Sequence, residues 1–328
     1  MKASDGLRLP ARAKLNLVLR IVGRRADGYH LLETLFHAIE LHDDLWLARR
    51  QHGITLRVTA DEPQLAVPPD ADNLVVRALA RLGDAVGGAP GFAAHLHKRI
   101  PHGAGLGGGS SDAAAALRLG NELLGAPLDP AQLARLGAGL GADVPFFLRG
   151  GSQWGRGVGD ELEPAAVPPM HFVLVVPPFG CATADVYKNH AAHWQSGAPQ
   201  DSVRSVTGPA TRDSAVHSGF CNDLEPAAER VRPELAVLRR RIVALGHPDV
   251  CMTGSGSTLF LAMADAARAA QCAAGLEELA AAGVRVVTTR SAGEAIDVPV
   301  RAGCSADDPA DSTAPQRPRR DHEGPNGG

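Results

Sequence analysis

The sequence is poor in cysteine, tyrosine, long apolar runs and net charge, and each shortage removes a class of protein. Five cysteines stand at 181, 221, 251, 272 and 304, an odd number with wide gaps and no C-x-x-C pair. This speaks against a disulfide framework or a structural zinc site and for free thiols in a reducing cytoplasm. The longest apolar stretches, such as Phe172-Val173-Leu174-Val175-Val176, are strand-sized, whereas a spanning helix needs roughly 20 residues. The N-terminal stretch carries Asp5, Arg8, Arg12 and Lys14, so it lacks the unbroken apolar core of a secretory signal. A net charge of -3 does not suggest a strongly basic face for nucleic acid. H-E-x-x-H is absent, and His95 and His97, although on one strand face, do not make a metal pattern.

What is present fits an ordinary globular chain, at 45% hydrophobic and 21% charged residues. The length, 328 residues, exceeds what one compact core fills, so two domains are expected. In the first half, residues 13–22 read as a strand closed by Gly23. A polar loop with an Asp27-Gly28 turn signal follows, then more sheet over 31–49. Apolar spacing predicts a helix over 73–82, and alternation predicts a strand over 92–100 that ends at Pro101. A helix follows the glycine-rich run 103–111, with Ser111 or Asp112 as its cap and Gly125 as its end; another spans 129–140.

In the second half, 171–176 is a strand, 183–192 begins a helical stretch, and 222–245 continues as helix despite Pro226 and Pro233. Strands over 250–253 and 258–263 flank a glycine-serine turn. A helix over 265–282 and a strand over 284–289 complete the order β-α-β-β-α-β, the signature of a ferredoxin-like unit. Residues 195–218 read as a polar loop. From 302 onward Asp, Pro, Arg and Gly dominate, too little apolar surface to offset ordering entropy, so 302–328 reads as a disordered tail.

Three segments carry chemistry. The strongest is Pro101-His-Gly-Ala-Gly-Leu-Gly-Gly-Gly-Ser-Ser-Asp112, leading into a helix. Glycines let backbone N–H groups approach a ligand, and a helix N-terminus adds unpaired donors and partial positive charge. Together they make a phosphate cradle, with Ser110 and Ser111 as further ligands for phosphate oxygens or a magnesium ion. A plain flexible loop is the alternative. The Walker lysine is missing, and G-x-G-x-x-G at 103–108 follows Pro101-His102 rather than a strand, which weakens a dinucleotide reading. The second segment is Leu140-Gly-Ala-Asp143-Val-Pro145, where Asp143 is either a turn or cap residue or an acid for chemistry. The third is Ala13-Lys14-Leu-Asn16, where Lys14 is either solvent-facing or functional. A carboxylate and a lysine are what a kinase needs to orient and deprotonate an acceptor hydroxyl. Thr253-Gly-Ser-Gly-Ser257 is a tight hairpin whose N–H groups could also line a phosphate site.

Taken together, these segments resemble the GHMP kinase superfamily over roughly residues 10–292, with Gly23-Arg-Arg-Ala-Asp-Gly-Tyr-His30 and Gly155-Arg-Gly-Val-Gly-Asp160 as further matches. The resemblance implies an α+β, two-domain fold. Residues 1–165 would form an N-terminal domain of the ribosomal-protein-S5 type that holds the ATP phosphates and the catalytic groups. Residues 166–301 would form a ferredoxin-like domain. It also implies ATP and Mg2+ as cofactors, Asp143 as general base and Lys14 as its partner. ATP would be held by Pro101, Gly103, Ala104, Gly105, Leu106, Gly107, Gly108, Gly109, Ser110 and Ser111, with Asn73, Leu74 and Lys98 near the adenine.

The Gly-Tyr-His element belongs to the branch of the superfamily whose acceptor is a cytidine-diphosphate-linked methylerythritol. By that likeness Tyr29, His30 and Tyr187, the first and last being the only tyrosines, would hold the cytosine, and Asn16 the sugar alcohol. The partner is then a small molecule, with no nucleic acid and no membrane, and the chain a monomer or homodimer in the cytoplasm. Other small alcohols such as homoserine or mevalonate remain the alternative acceptors within the same fold. Outside it stands a nucleotide-binding oxidoreductase, resting on G-x-G-x-x-G alone; within it a catalytically silent sensor is a further rival, against which Lys14 and Asp143 both speak.

Overall fold

The computed structural model describes residues 6–26, 28–193, 219–294 and 296–302. Asp27, the stretch 195–218 read as a polar loop, and the tail after Ala302 lie outside the described residues, as does Cys304. The other four cysteines are free thiols. No helix among the described residues is long and apolar enough to cross a membrane.

The first half opens with two long antiparallel strands, β1 (Leu7–Arg24) and β2 (His30–Arg50). Then come β3 (Ile54–Ala60), helix α1 (Leu74–Ala85), β4 (Gly91–Lys98), α2 (Gly108–Leu123), α3 (Pro130–Ala138), α4 (Val144–Arg149), β5 (Ser152–Arg156) and β6 (Glu161–Pro164). Inward side chains alternate along the strands. Leu9 and Ala11 of β1, Leu45 and Leu47 of β2, and Phe92, Ala94 and Leu96 of β4 are all buried against α1, α2 and α4. Each helix has a local reason to start where it does. Asn73 caps α1 by accepting from the Val75 N–H, and Asp129 with Gln132 forms a capping box on α3.

The second half contains β7 (His171–Val176), α5 (Thr183–His193), β8 (Cys221–Asn222), α6 (Glu225–Val231), α7 (Pro233–Ala244), β9 (Cys251–Met252), β10 (Leu259–Met263), α8 (Ala266–Gly275), β11 (Arg285–Arg290) and β12 (Val300–Arg301). Its sheet runs in the order β11-β7-β10-β9, antiparallel throughout. Two expected elements divide. Residues 222–245 form two helices, because Pro226 and Pro233 each sit in a first helical turn, where a missing N–H does no harm, rather than inside one helix. The stretch 265–282 leaves the α-helix at Gly275 and continues as a 3-10 turn over Glu277–Ala282.

The two halves are stitched at several points. β8 pairs in parallel with β1, and β12 returns to pair with the outer edge of β1. A third apolar cluster between the sheets joins Leu15, Leu17 and Ile39 to Phe172, Leu174 and Phe260. At that seam the buried His37 ring meets Ser152 Oγ at Nδ1 and Ser291 Oγ at Nε2, each at 2.8 Å.

Candidate active site

Lys14 and Asn16 lie two apart on β1 and therefore share a face. The β1–β2 register shifts on both sides of them, between Arg12 and Lys14 and between Asn16 and Val18. Such bulges re-aim side chains. Here they turn two polar groups into the space between the halves, where Lys14 is 4% exposed and Asn16 2%. Lys14 Nζ donates to Asn16 Oδ1 and lies 3.7 Å from the Asp143 carboxylate. The Asn16 amide is oriented by its other end: Nδ2 donates to Thr34 Oγ1 at 2.8 Å, and that hydroxyl donates to the Val18 carbonyl at 2.7 Å. The Thr34 hydroxyl proton is spent on Val18, so Thr34 accepts, and the Asn16 oxygen must face Lys14. Burial pulls the Lys14 ammonium below its ordinary pKa, and Asp143 only partly offsets it.

Asp143 stands at the start of α4, yet its carboxylate does not cap that helix. With Pro145 in the first turn the helix needs one donor fewer satisfied, and the carboxylate is left part-exposed towards Lys14. The glycine-rich run passes beneath the pair. Ala104 and Leu106 are buried and anchor it through their carbonyls: Lys14 N–H donates to Leu106 O at 3.0 Å and Thr258 N–H to Ala104 O at 3.2 Å. The intervening glycines are required. A Cβ on Gly105 would come within 2.3 Å of Thr253 O, and one on Gly107 within 2.8 Å of the Phe147 ring and 3.1 Å of Lys14 Cγ; both residues have positive φ. The run enters α2 at Gly107, which is its N-cap, so neither Ser111 nor Asp112 caps the helix as expected from sequence. The first N–H groups of α2 thus have no side-chain cap, the arrangement that favours an anion.

A cleft of about 960 Å³ opens on this pair. Lys14, Asn16, Asp143 and Ser110 line it together with Gly254 and Ser255 of the glycine-serine turn, and Tyr29, His30 and Tyr187 line it as well. His30 and Tyr187 rings are 5.3 Å apart, while Tyr29 is 66% exposed. Burial, followed by His190 and Arg24, lowers the His30 pKa, keeping the ring neutral. The His30 Nε2 is buried without a partner.

Asn73, Leu74 and Lys98 gather at the other side of the α2 start. Leu74 is the nearest neighbour of a Cβ on Gly109, at 3.4 Å, and Lys98 Nζ lies 3.4 Å from one on Gly108. The Lys98 ammonium is 2% exposed and is shared between Asp43 and Asp112, whose oxygen accepts at 2.7 Å. Asp43 also accepts the N–H groups of Arg99 and Ile100. Burial pushes the Asp112 carboxyl up to about 7 despite Lys98, and Asp43 adds to the rise. Burial would lower Lys98, yet Asp112 and Asp43 outweigh it and hold it above its ordinary value. Excess negative charge around one ammonium favours protons on both.

Sequence reasoning passed over Thr34, Asp43 and Asn222, and took Asp112 only as a helix cap and Thr253 only as the start of a tight turn. Thr253 Oγ1 accepts the Asn16 N–H at 2.9 Å, and Asn222 Nδ2 donates to the Met252 and Gly254 carbonyls, each at 2.8 Å, fixing the turn. Asp43 had a signal: it shares the parity of Leu45 and Leu47, so it had to face the core.

The loop, the lysine–carboxylate couple and the cleft together define a class, the small-molecule kinases of GHMP type, and residues 73–151 match the family described as GHMP kinases N terminal domain. The chain is 42% identical over 282 residues to a 4-diphosphocytidyl-2-C-methyl-D-erythritol kinase of Moorella thermoacetica, covering 84% of this chain and 96% of that one. A solved structure of 4-(cytidine 5'-diphospho)-2C-methyl-D-erythritol kinase superposes with a TM-score of 0.68 at 37% identity, over 87% of this chain and 100% of that one. The chain belongs to the 4-diphosphocytidyl-2-C-methyl-D-erythritol kinase family of the GHMP kinases. A homoserine kinase from Cytophaga hutchinsonii, at 18% identity and TM-score 0.66 over 92% of this chain and 99% of that one, shares the fold.

Proposed function

We propose that the chain is an ATP-dependent kinase that phosphorylates the 2-hydroxyl of 4-diphosphocytidyl-2-C-methyl-D-erythritol in the non-mevalonate isoprenoid precursor pathway. The single observation that carries the chemistry is the Lys14–Asp143 couple, 3.7 Å apart, with a carboxylate free of capping duty above a glycine loop. The likeness to named relatives at about 40% identity carries the acceptor. In this reading residues 1–165 form the S5-type catalytic domain and 166–301 the ferredoxin-like one, for which the sheet order β11-β7-β10-β9 speaks.

Asp143 accepts the proton of the acceptor hydroxyl as that oxygen attacks the γ-phosphorus, and the bond from the γ-phosphorus to the bridging oxygen breaks to release ADP. Lys14 stays beside it, favours its ionised form and stabilises the charge that develops on the transferred group. Asn16 and Thr34 hold the ammonium in place rather than add chemistry. The loop from Gly103 to Ser111 receives the phosphates through backbone N–H groups. Magnesium fits the oxygen donors on offer, the Ser110 hydroxyl lining the cleft together with phosphate oxygens, since this ion is commonly bound by few protein ligands. When bound it neutralises phosphate charge. Tyr29 and Tyr187 stack the cytosine and His30 reads its edge. Asn73 and Leu74 border the adenine, and Lys98 supports that region from within.

A coupled assay with ATP and the cytidyl acceptor, homoserine or mevalonate tests the reading. Turnover is expected with the cytidyl acceptor and to be negligible with the other two. An equal or better kcat/KM with homoserine or mevalonate would remove the acceptor assignment and leave a GHMP kinase of other specificity.

A further inference from the structure

The cleft carries a charge imbalance that the catalytic couple does not consume. Its described lining holds three cationic side chains, Lys14, Arg24 and Lys188, against one carboxylate, Asp143. Lys14 is matched to Asp143. Arg24 and Lys188 remain, a surplus of two positive charges in a chain whose net charge is -3. Among the described residues no carboxylate pairs with either.

Their positions are specific. Arg24 ends β1, and its Nε donates to the Gly28 carbonyl at 3.1 Å, which holds the guanidinium beside the Tyr29–His30 end of the cleft. Lys188 follows Tyr187 on α5, on the wall contributed by the second half of the chain, and is exposed. The two cations therefore stand on different walls, both close in sequence to aromatic residues that line the cleft.

We propose that Arg24 and Lys188 form a clamp for the diphosphate of the acceptor, on the acceptor side of the cleft and separate from the loop that takes ATP. This rests on the cytidyl reading above. A diphosphate esterified at both ends carries two negative charges, the number the surplus matches. Arginine and lysine donate charge-assisted hydrogen bonds to phosphate oxygens, the first as a fork and the second as a point charge. The clamp makes the linker of the acceptor a recognised feature, so that a nucleoside lacking it is held by base stacking alone.

Binding of cytidine, CMP and CDP-glycerol to the full chain without ATP separates these contributions. CDP-glycerol is expected to bind at least about tenfold more tightly than cytidine, the scale of one or two charge-assisted bonds near solvent. That preference should shrink between about 0.05 and 0.5 M salt. Lys188→Met and Arg24→Met each reduce the ratio, the double variant brings it within about twofold, and Lys188→Arg restores most of it; cytidine affinity stays unchanged in the two Lys188 single variants, while Arg24→Met, which also frees the Gly28 carbonyl beside Tyr29, is read by the ratio. If Lys188→Met keeps the wild-type ratio, or weakens cytidine as much as CDP-glycerol, the clamp is wrong while the cytidyl pocket stands. If none of the three ligands binds the wild type, the cytidyl reading fails and takes the clamp with it.

Discussion

Two buried lysines flank the same glycine loop and are held in opposite ways. Lys14 packs against Gly107 on the cleft side, and Lys98 against Gly108 on the core side. Lys14 has one part-exposed carboxylate at 3.7 Å and an amide, and burial lowers its pKa. Lys98 has two buried carboxylates, and its pKa is raised. The number of acids around an ammonium thus separates a charge poised to respond to a ligand from a charge locked into the frame. Residue type and burial alone would not tell them apart.

The comparison breaks most sharply if the cleft-side acid is removed. In the proposed reaction Asp143→Asn should lower kcat by on the order of 10²–10⁴ and leave ATP affinity near normal. A loss below about tenfold would withdraw Asp143 as the proton acceptor. Lys14→Met should depress kcat by about 10²–10³, as for other groups placed at developing charge. Its melting temperature should change little, because loss of a desolvated ammonium is set against the Asn16 oxygen left without its donor. Measuring kcat and thermal unfolding on the same preparation checks both halves of that statement.

Lys98→Met should show the reverse profile. It leaves Asp43 and Asp112 facing each other without a counter-charge, at a cost of about 3–5 kcal/mol in stability. Denaturant unfolding reads that loss directly. If Lys98→Met instead keeps wild-type stability and only raises KM for ATP, the lysine belongs to the nucleotide site and the contrast collapses.

Much of this contrast was readable from the chain, and the part that was not has definite causes. The glycine run, Lys14 and Asp143 announce themselves through unusual local composition. Lys98 is near the loop, but its ammonium points inward because it continues the core-facing parity of Phe92, Ala94 and Leu96. What it meets there, Asp43 and Asp112, comes from 55 and 14 residues away in sequence, a distance no local pattern spans. The division of 222–245 at Arg232 was not legible, since a proline that starts a helix and one that interrupts it look alike until the hydrogen bonds are traced. The bulges that aim Lys14 and Asn16 are set by register with β2, so alternation along β1 alone could not reveal them.

A third buried base sharpens the comparison at the smallest scale. His37 sits at the seam of the two halves and meets only hydroxyls, Ser152 Oγ and Ser291 Oγ, rather than any acid. Burial pushes its pKa down to about 4 from the usual 6.5. The unfolded chain, with the ordinary value, therefore binds the proton first. Stability from the neutral ring is complete above about pH 6.5 and is lost as pH falls from there towards 4, where the folded form also protonates. The expected loss between pH 7 and 5.5 is roughly 1 kcal/mol, well below the effects of the lysine variants. His37→Gln, which keeps hydrogen-bonding ends without a titrating ring, should flatten that part of the curve. Unfolding free energies at both pH values, wild type against variant, decide the matter. An identical pH slope in the two proteins would mean that His37 titrates alike folded and unfolded, and that a buried base can be left without an acid at no proton-linked cost.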